Sequence, residues 1–142
     1  MAHARRTGAR LSDTLCLYEE NAMKEDAYLQ GRLGELRAEQ HVVALGYEIL
    51  EHNAVFPGAE IDLIARDGEC TVFIEVKMRT KGLGHGREAV TPAKQKRICR
   101  GALCYMAENG LLGKQARFDV IEIQGERLTH IRDAFPYCGP AF

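Results

Sequence analysis

Three side chains have the types and spacing to do chemistry. Asp62 sits in the apolar run IDLIAR, and Glu75 and Lys77 stand two apart in TVFIEVK. Both runs are almost continuously apolar, as expected of strands covered on both faces. Carboxylates embedded there need compensation, and a divalent cation would supply it. Oxygen donors select a hard ion, Mg²⁺ or Mn²⁺, over zinc. The plainer reading is a salt bridge from Lys77 to Glu75 or Asp62 on a solvated face.

The elements around these residues must bring them together. Asp67-Gly68 signals a hairpin between the two runs. With a two-residue turn there, Asp62 faces Phe73, and Glu75 is its diagonal neighbour at about 7–8 Å between Cα atoms. A four-residue loop puts Asp62 directly opposite Glu75. In both registers Asp62, Phe73, Glu75 and Lys77 share a face, and Val72, Ile74 and Val76 form core on the other.

Helical spacing supplies further candidates. Residues 32–45 read as a helix stopped by Gly46, with Glu35 on a seam shared by Ala38, Val42 and Leu45. An acid in a first turn is also favoured by the helix dipole alone. Thr91-Pro92 opens a second helix, as N-cap and first residue, running to about Glu108. At about 100° per residue, Lys94, Lys96, Arg97 and Arg100 fill one half of it. The other half is apolar apart from Gln95, which should point inward or bond to backbone near the helix start. Strands are expected at 47–53, 61–66, 71–77, 117–124 and 128–131. The glycine-rich stretch 79–90 reads as a mobile loop. The order αβββαββ makes an α/β protein with a mixed sheet. Residues 1–30 read as a helical extension, with Ser12 or Asp13 as cap, before a domain at 31–142.

The chain has 142 residues, 46% hydrophobic and 27% charged, with a net charge of −1, as for an ordinary soluble domain. No apolar run approaches the span of a bilayer, and MAHARRTGARL lacks the apolar stretch of a signal peptide, so a cytoplasmic location is expected. Five cysteines without CxxC spacing argue against a zinc ribbon or disulfide framework. Charge is locally concentrated. Lys77 to Arg100 holds eight basic residues against Glu88 alone, a field that can attract a polyanion.

Taken together, GRLGELRAEQHVVALGYEILEHN, GAEIDLIARDG, VFIEVKMR, AVTPAKQKR, RFDVIEI and HIRDAF resemble the YraN-like bacterial family over residues 31–135. That family is assigned to the restriction-endonuclease-like PD-(D/E)XK nuclease superfamily, near the archaeal-type Holliday junction resolvases. The resemblance implies an αβββαβ core and a Mg²⁺- or Mn²⁺-dependent endonuclease. It casts Asp62 as the metal-binding acid of the second strand, Glu75 and Lys77 as the ExK signature, Glu35 as the first-helix acid and Gln95 as a polar partner on the following helix. Asp62, Glu75 and the Val76 carbonyl would hold the metal, with Glu35 helping through water. Arg79, Lys81, Arg87, Lys94, Lys96, Arg97 and Arg100 would track phosphates of branched or duplex DNA. Cutting a junction would require a homodimer with two sites. The chain departs from the resolvase pattern in having no proline before Asp62, and Ala59 stands as an extra residue between Gly58 and Glu60. A non-catalytic nucleic-acid-binding module with the same fold is the alternative. A third reading is an interaction protein recruiting a partner through the N-terminal helix.

Overall fold

The computed structural model describes residues 11–79 and 90–139. The chain divides into two compact units, residues 1–32 and 33–142. The elements are α1 (Leu11–Ala44), β1 (Glu48–Phe56), β2 (Ala59–Asp67), β3 (Cys70–Met78), α2 (Pro92–Glu108), β4 (Ala116–Gln124) and β5 (Arg127–Ile131). Each expected strand is present, and all five form one mixed sheet in the order β1-β2-β3-β4-β5. The two helices expected in the N-terminal third are instead one, of 34 residues. No proline interrupts it, and Gly34 stays helical where a Cβ would collide with the Met78 thioether. In the first unit, the described stretch exposes Leu15, Tyr18, Met23 and Tyr28.

In the second unit the sheet has a core on each face. Ala38 and Val42 of α1 pack with Leu63, Ala65, Val72, Ile74, Ile121 and Ile123. On the other face, Ile98, Cys99, Ala102 and Tyr105 of α2 pack with Ile64, Phe73, Phe118 and Val120. β3 and β4 run parallel, and a parallel pair needs a crossover, which α2 provides. Thr91 caps α2 as its sequence predicts, Oγ1 accepting the Lys94 N–H at 3.2 Å, with Pro92 next.

The β2–β3 hairpin decides the register. Asp67 pairs with Cys70, Arg66 with Thr71 and Leu63 with Ile74. The two-residue turn is therefore Gly68-Glu69, one residue later than Asp67-Gly68. Gly68 takes φ +61, fitting a hairpin turn that needs glycine at its first central position. This selects the register expected of the four-residue loop.

Candidate active site

The β2–β3 ladder stops at Leu63 and Ile74, and the strands part just past it. Leu63 belongs to the α1-side core whereas Ile61 has joined the α2-side core, so the alternation breaks at Asp62 between them. Instead of simply facing Glu75 across a ladder, the Asp62 carboxylate turns into the gap. Its Oδ2 accepts the Val76 backbone N–H at 2.9 Å. Across the β1–β2 pairing, Asn53 lies between His52, which pairs with Leu63, and Ala54, which pairs with Ile61. Its φ is +46, a second distortion beside Asp62.

Asp62 and Glu75 act on each other electrostatically. Burial, then the Glu75 charge and a hydrogen bond with Glu75, push the Asp62 carboxyl up to about 7, and the more distant Glu35 charge adds to the rise. The Val76 N–H opposes the shift. Glu75 is only 4% exposed, a costly place for a carboxylate without compensation. Its counter-charge is Lys94, whose Nζ lies 2.5 Å from Glu75 Oε1. The sequence places Lys94 on the basic half of α2 with Lys96, Arg97 and Arg100. It stands four residues before the buried Ile98 and eight before the buried Ala102, so helical spacing puts it at the edge of the inward stripe. That spacing was the available signal.

The other expected residues fall as follows. Lys77 is partly buried two residues beyond Glu75 and makes no ion pair among the described residues. Gln95 donates from Nε2 to the Val90 carbonyl at 3.0 Å, holding the approach to α2. Glu35 accepts from Asn53 Nδ2 at 3.2 Å; α1 packs on the opposite face of the sheet, and the Glu35 charge still reaches Asp62. Among the described residues no three His, Cys, Asp or Glu side chains are grouped to hold a metal ion. Arg79 is not splayed into solvent: its Nε is 2.9 Å from the buried Glu122 Oε1, at an angle outside hydrogen-bond geometry. Lys96, Arg97 and Arg100 are exposed on α2. Lys81, Arg87 and the expected mobility of 79–90 lie outside the described residues, apart from Arg79 and Val90 at the ends. An open cleft of about 440 Å³ runs between the β1–β2 turn and α2, lined by Asp62, Glu60, Lys94 and Arg97 among others.

A second polar cluster, not singled out from the sequence, surrounds Asp119. Asp119 on β4 is fully buried. It accepts from Arg117 Nε at 3.0 Å, from His130 Nε2 at 2.8 Å and from the Asp133 N–H at 3.0 Å. Arg117 also reaches Asp67 at 2.9 Å and the Tyr47 hydroxyl at 2.6 Å, and His130 Nδ1 lies 3.1 Å from His41 Nε2. Burial pushes the Asp119 carboxyl up, but the bonds from His130, Arg117 and Asp133 outweigh it and hold it below the usual range. The signal was present, since an acid in the apolar run RFDVIEI is as anomalous as Asp62 in its own.

The model of the uncharacterised protein family UPF0102 matches residues 34–123. The chain belongs to that family. It is 44% identical over 107 residues to a UPF0102 protein of Alkalilimnicola ehrlichii, covering 74% of this chain and 85% of the relative. A Geobacter sulfurreducens member is 42% identical over 111 residues, covering 74% and 87%. One from Sulfurihydrogenibium is 37% identical over 111 residues, covering 78% and 96%. The matched UPF0102 region contains Glu35, Asp62, Glu75, Lys77, Gln95 and Asp119. Among the described residues, no helix is long and apolar enough to cross a membrane.

Proposed function

We propose that this UPF0102 protein is a metal-dependent nuclease of the restriction-endonuclease-like type, hydrolysing phosphodiester bonds of DNA selected by structure. The observation that carries the reading is the Asp62–Glu75 pair, two carboxylates where β2 and β3 part, with Asp62 raised by the Glu75 charge and lining a cleft walled by Lys94 and Arg97. Carboxylates forced together are relieved when a cation replaces the proton. The donor set fits Mg²⁺ or Mn²⁺: every donor is an oxygen, and Mg²⁺ keeps several of its waters and needs only one or two carboxylates. Asp62, Glu75 and the Val76 carbonyl would hold the ion, with Glu35 acting through water. When bound, such an ion supplies Lewis-acid charge and lowers the pKa of a coordinated water.

The protein's own groups do the rest. Lys77 orients the attacking water or steadies charge developing on the phosphorane. Lys94 gives up Glu75 and turns its ammonium to the phosphate. Gln95, anchored on the Val90 carbonyl, positions the start of α2 that carries Lys94. Exposed Lys96, Arg97 and Arg100 hold the phosphate backbone, joined by Lys81 and Arg87 from the adjoining segment. Such contacts position DNA without reading its bases. A homodimer would present the two sites that a junction needs.

The second reading, a binding module without catalysis, is favoured by the Lys94–Glu75 ion pair, which already neutralises the buried carboxylate without a metal. Labelled duplex, single-stranded, flap and four-way-junction DNA, incubated with Mg²⁺ or Mn²⁺, separates the two. Cleavage that vanishes in the Asp62→Ala/Glu75→Ala double variant supports the nuclease. Salt-sensitive binding without cleavage by folded protein supports the module, and loss of both defeats the two readings together.

A further inference from the structure

We propose that Cys99 and Cys138 are an oxidisable pair that closes into an intramolecular disulfide on exposure to a peroxide. Their Sγ atoms are 3.5 Å apart, although 39 residues separate them in sequence. The Cys138 backbone N–H also donates to Cys99 Sγ at 3.3 Å, so the main chain as well as the side chain of residue 138 is held against the partner sulfur. The two differ in access. Cys99 is buried on α2, while Cys138 is exposed in the segment after β5. Of the remaining thiols, Cys70 bonds to the Thr71 carbonyl, and among the described residues Cys16, Cys70 and Cys104 pair with no other sulfur.

This asymmetry assigns the order of steps. Burial, ahead of the contacts with Cys138, pushes the Cys99 thiol up to about 11, so it stays protonated and shielded. The exposed Cys138 thiolate attacks the peroxide O–O bond, giving a Cys138 sulfenic acid and releasing hydroxide. The Cys99 sulfur then attacks Cys138 Sγ; the S–S bond forms, the S–O bond breaks, and the leaving hydroxide takes the Cys99 proton as water. Two thiols lose two electrons and the peroxide gains them. Contact between the sulfurs offsets the small thiolate fraction of Cys99. Closure staples the segment after β5 onto α2, one turn beyond Gln95, and is independent of whether the Asp62–Glu75 site cleaves DNA.

The test uses the reduced full chain exposed to a slight excess of hydrogen peroxide, followed by thiol titration in denaturant and non-reducing peptide mapping. The expected result is a loss of two thiols per chain, a Cys99–Cys138 cross-linked peptide, and a raised melting temperature that dithiothreitol returns to its starting value. In Cys138→Ser, a surface change that leaves the core intact, the cross-link and the shift should both disappear. Retention of all five thiols, a cross-link between other cysteines, or over-oxidised Cys138 beside a free Cys99 would each overturn the proposal.

Discussion

Asp62 and Lys94 would oppose a metal ion at the proposed site in different ways. Asp62 is protonated below about 7, because burial and the Glu75 charge raise it. A cation entering there must expel that proton. Metal affinity should therefore fall by up to about tenfold per pH unit below 7 and level off above it. Calorimetry in buffers of different ionisation enthalpy should record close to one proton released per metal at pH 6 and few at pH 8. A pH-independent affinity would mean that the cation binds elsewhere. Lys94 competes through its charge, since its ammonium occupies Glu75. In Lys94→Met, Mn²⁺ affinity should rise by about tenfold, a conservative share of the attraction between close unit charges, while DNA binding weakens. Unchanged Mn²⁺ affinity would show that Lys94 does not obstruct the site.

At the level of elements, Asp119 joins parts that are distant in sequence. Through Arg117 and His130 it links β4 to β5, to the end of β2 at Asp67, to Tyr47 and to His41 of α1. Removing one partner of such a buried ionic network leaves the others uncompensated. Asp119→Ala should cost about 3–5 kcal/mol in urea unfolding at pH 7. Its carboxyl is held below the usual range in the folded state. The stability it contributes is thus present above the unfolded value of about 4 and drains away as pH falls from there through the folded value. Acid titration of the urea midpoint should show that loss in the parent and a flatter profile in Asp119→Ala. Parallel profiles would remove Asp119 from the acid response. The Asp62–Glu75 pair is braced by fewer groups, Lys94 on Glu75 and the Val76 N–H on Asp62.

Across the whole molecule, the net charge of −1 conceals a basic region built on α2 and the segment before it. If that region follows a phosphate backbone with six to eight contacts, DNA affinity should fall with salt at a log–log slope of roughly −5 to −7. Arg79 is engaged with Glu122, so its removal should change the slope less than removal of Arg97. Filter binding or fluorescence anisotropy across a salt series gives both values. A slope near zero would exclude electrostatic capture.

Local order was legible in the sequence where short-range physics sets it. Thr91-Pro92 starts α2, apolar runs bounded by turn residues become the five strands, and acids inside those runs single out Asp62 and Glu75. The sequence reads α1 as two helices because its N-terminal part buries no apolar stripe whose period would show continuity. The turn at Gly68-Glu69 differed by one residue because Asp67-Gly68 and Gly68-Glu69 are both good turn chemistry, and only packing on both faces of β2 and β3 selects the register. The parting of the strands at Asp62, the reach of Lys94 to Glu75, the Asp119 network and the Cys99–Cys138 contact belong to the tertiary structure. Sequence spacing marks Lys94 and Asp119 as out of place, but most of their partners lie on other elements, and only the packing of the helices on the sheet brings those partners to them.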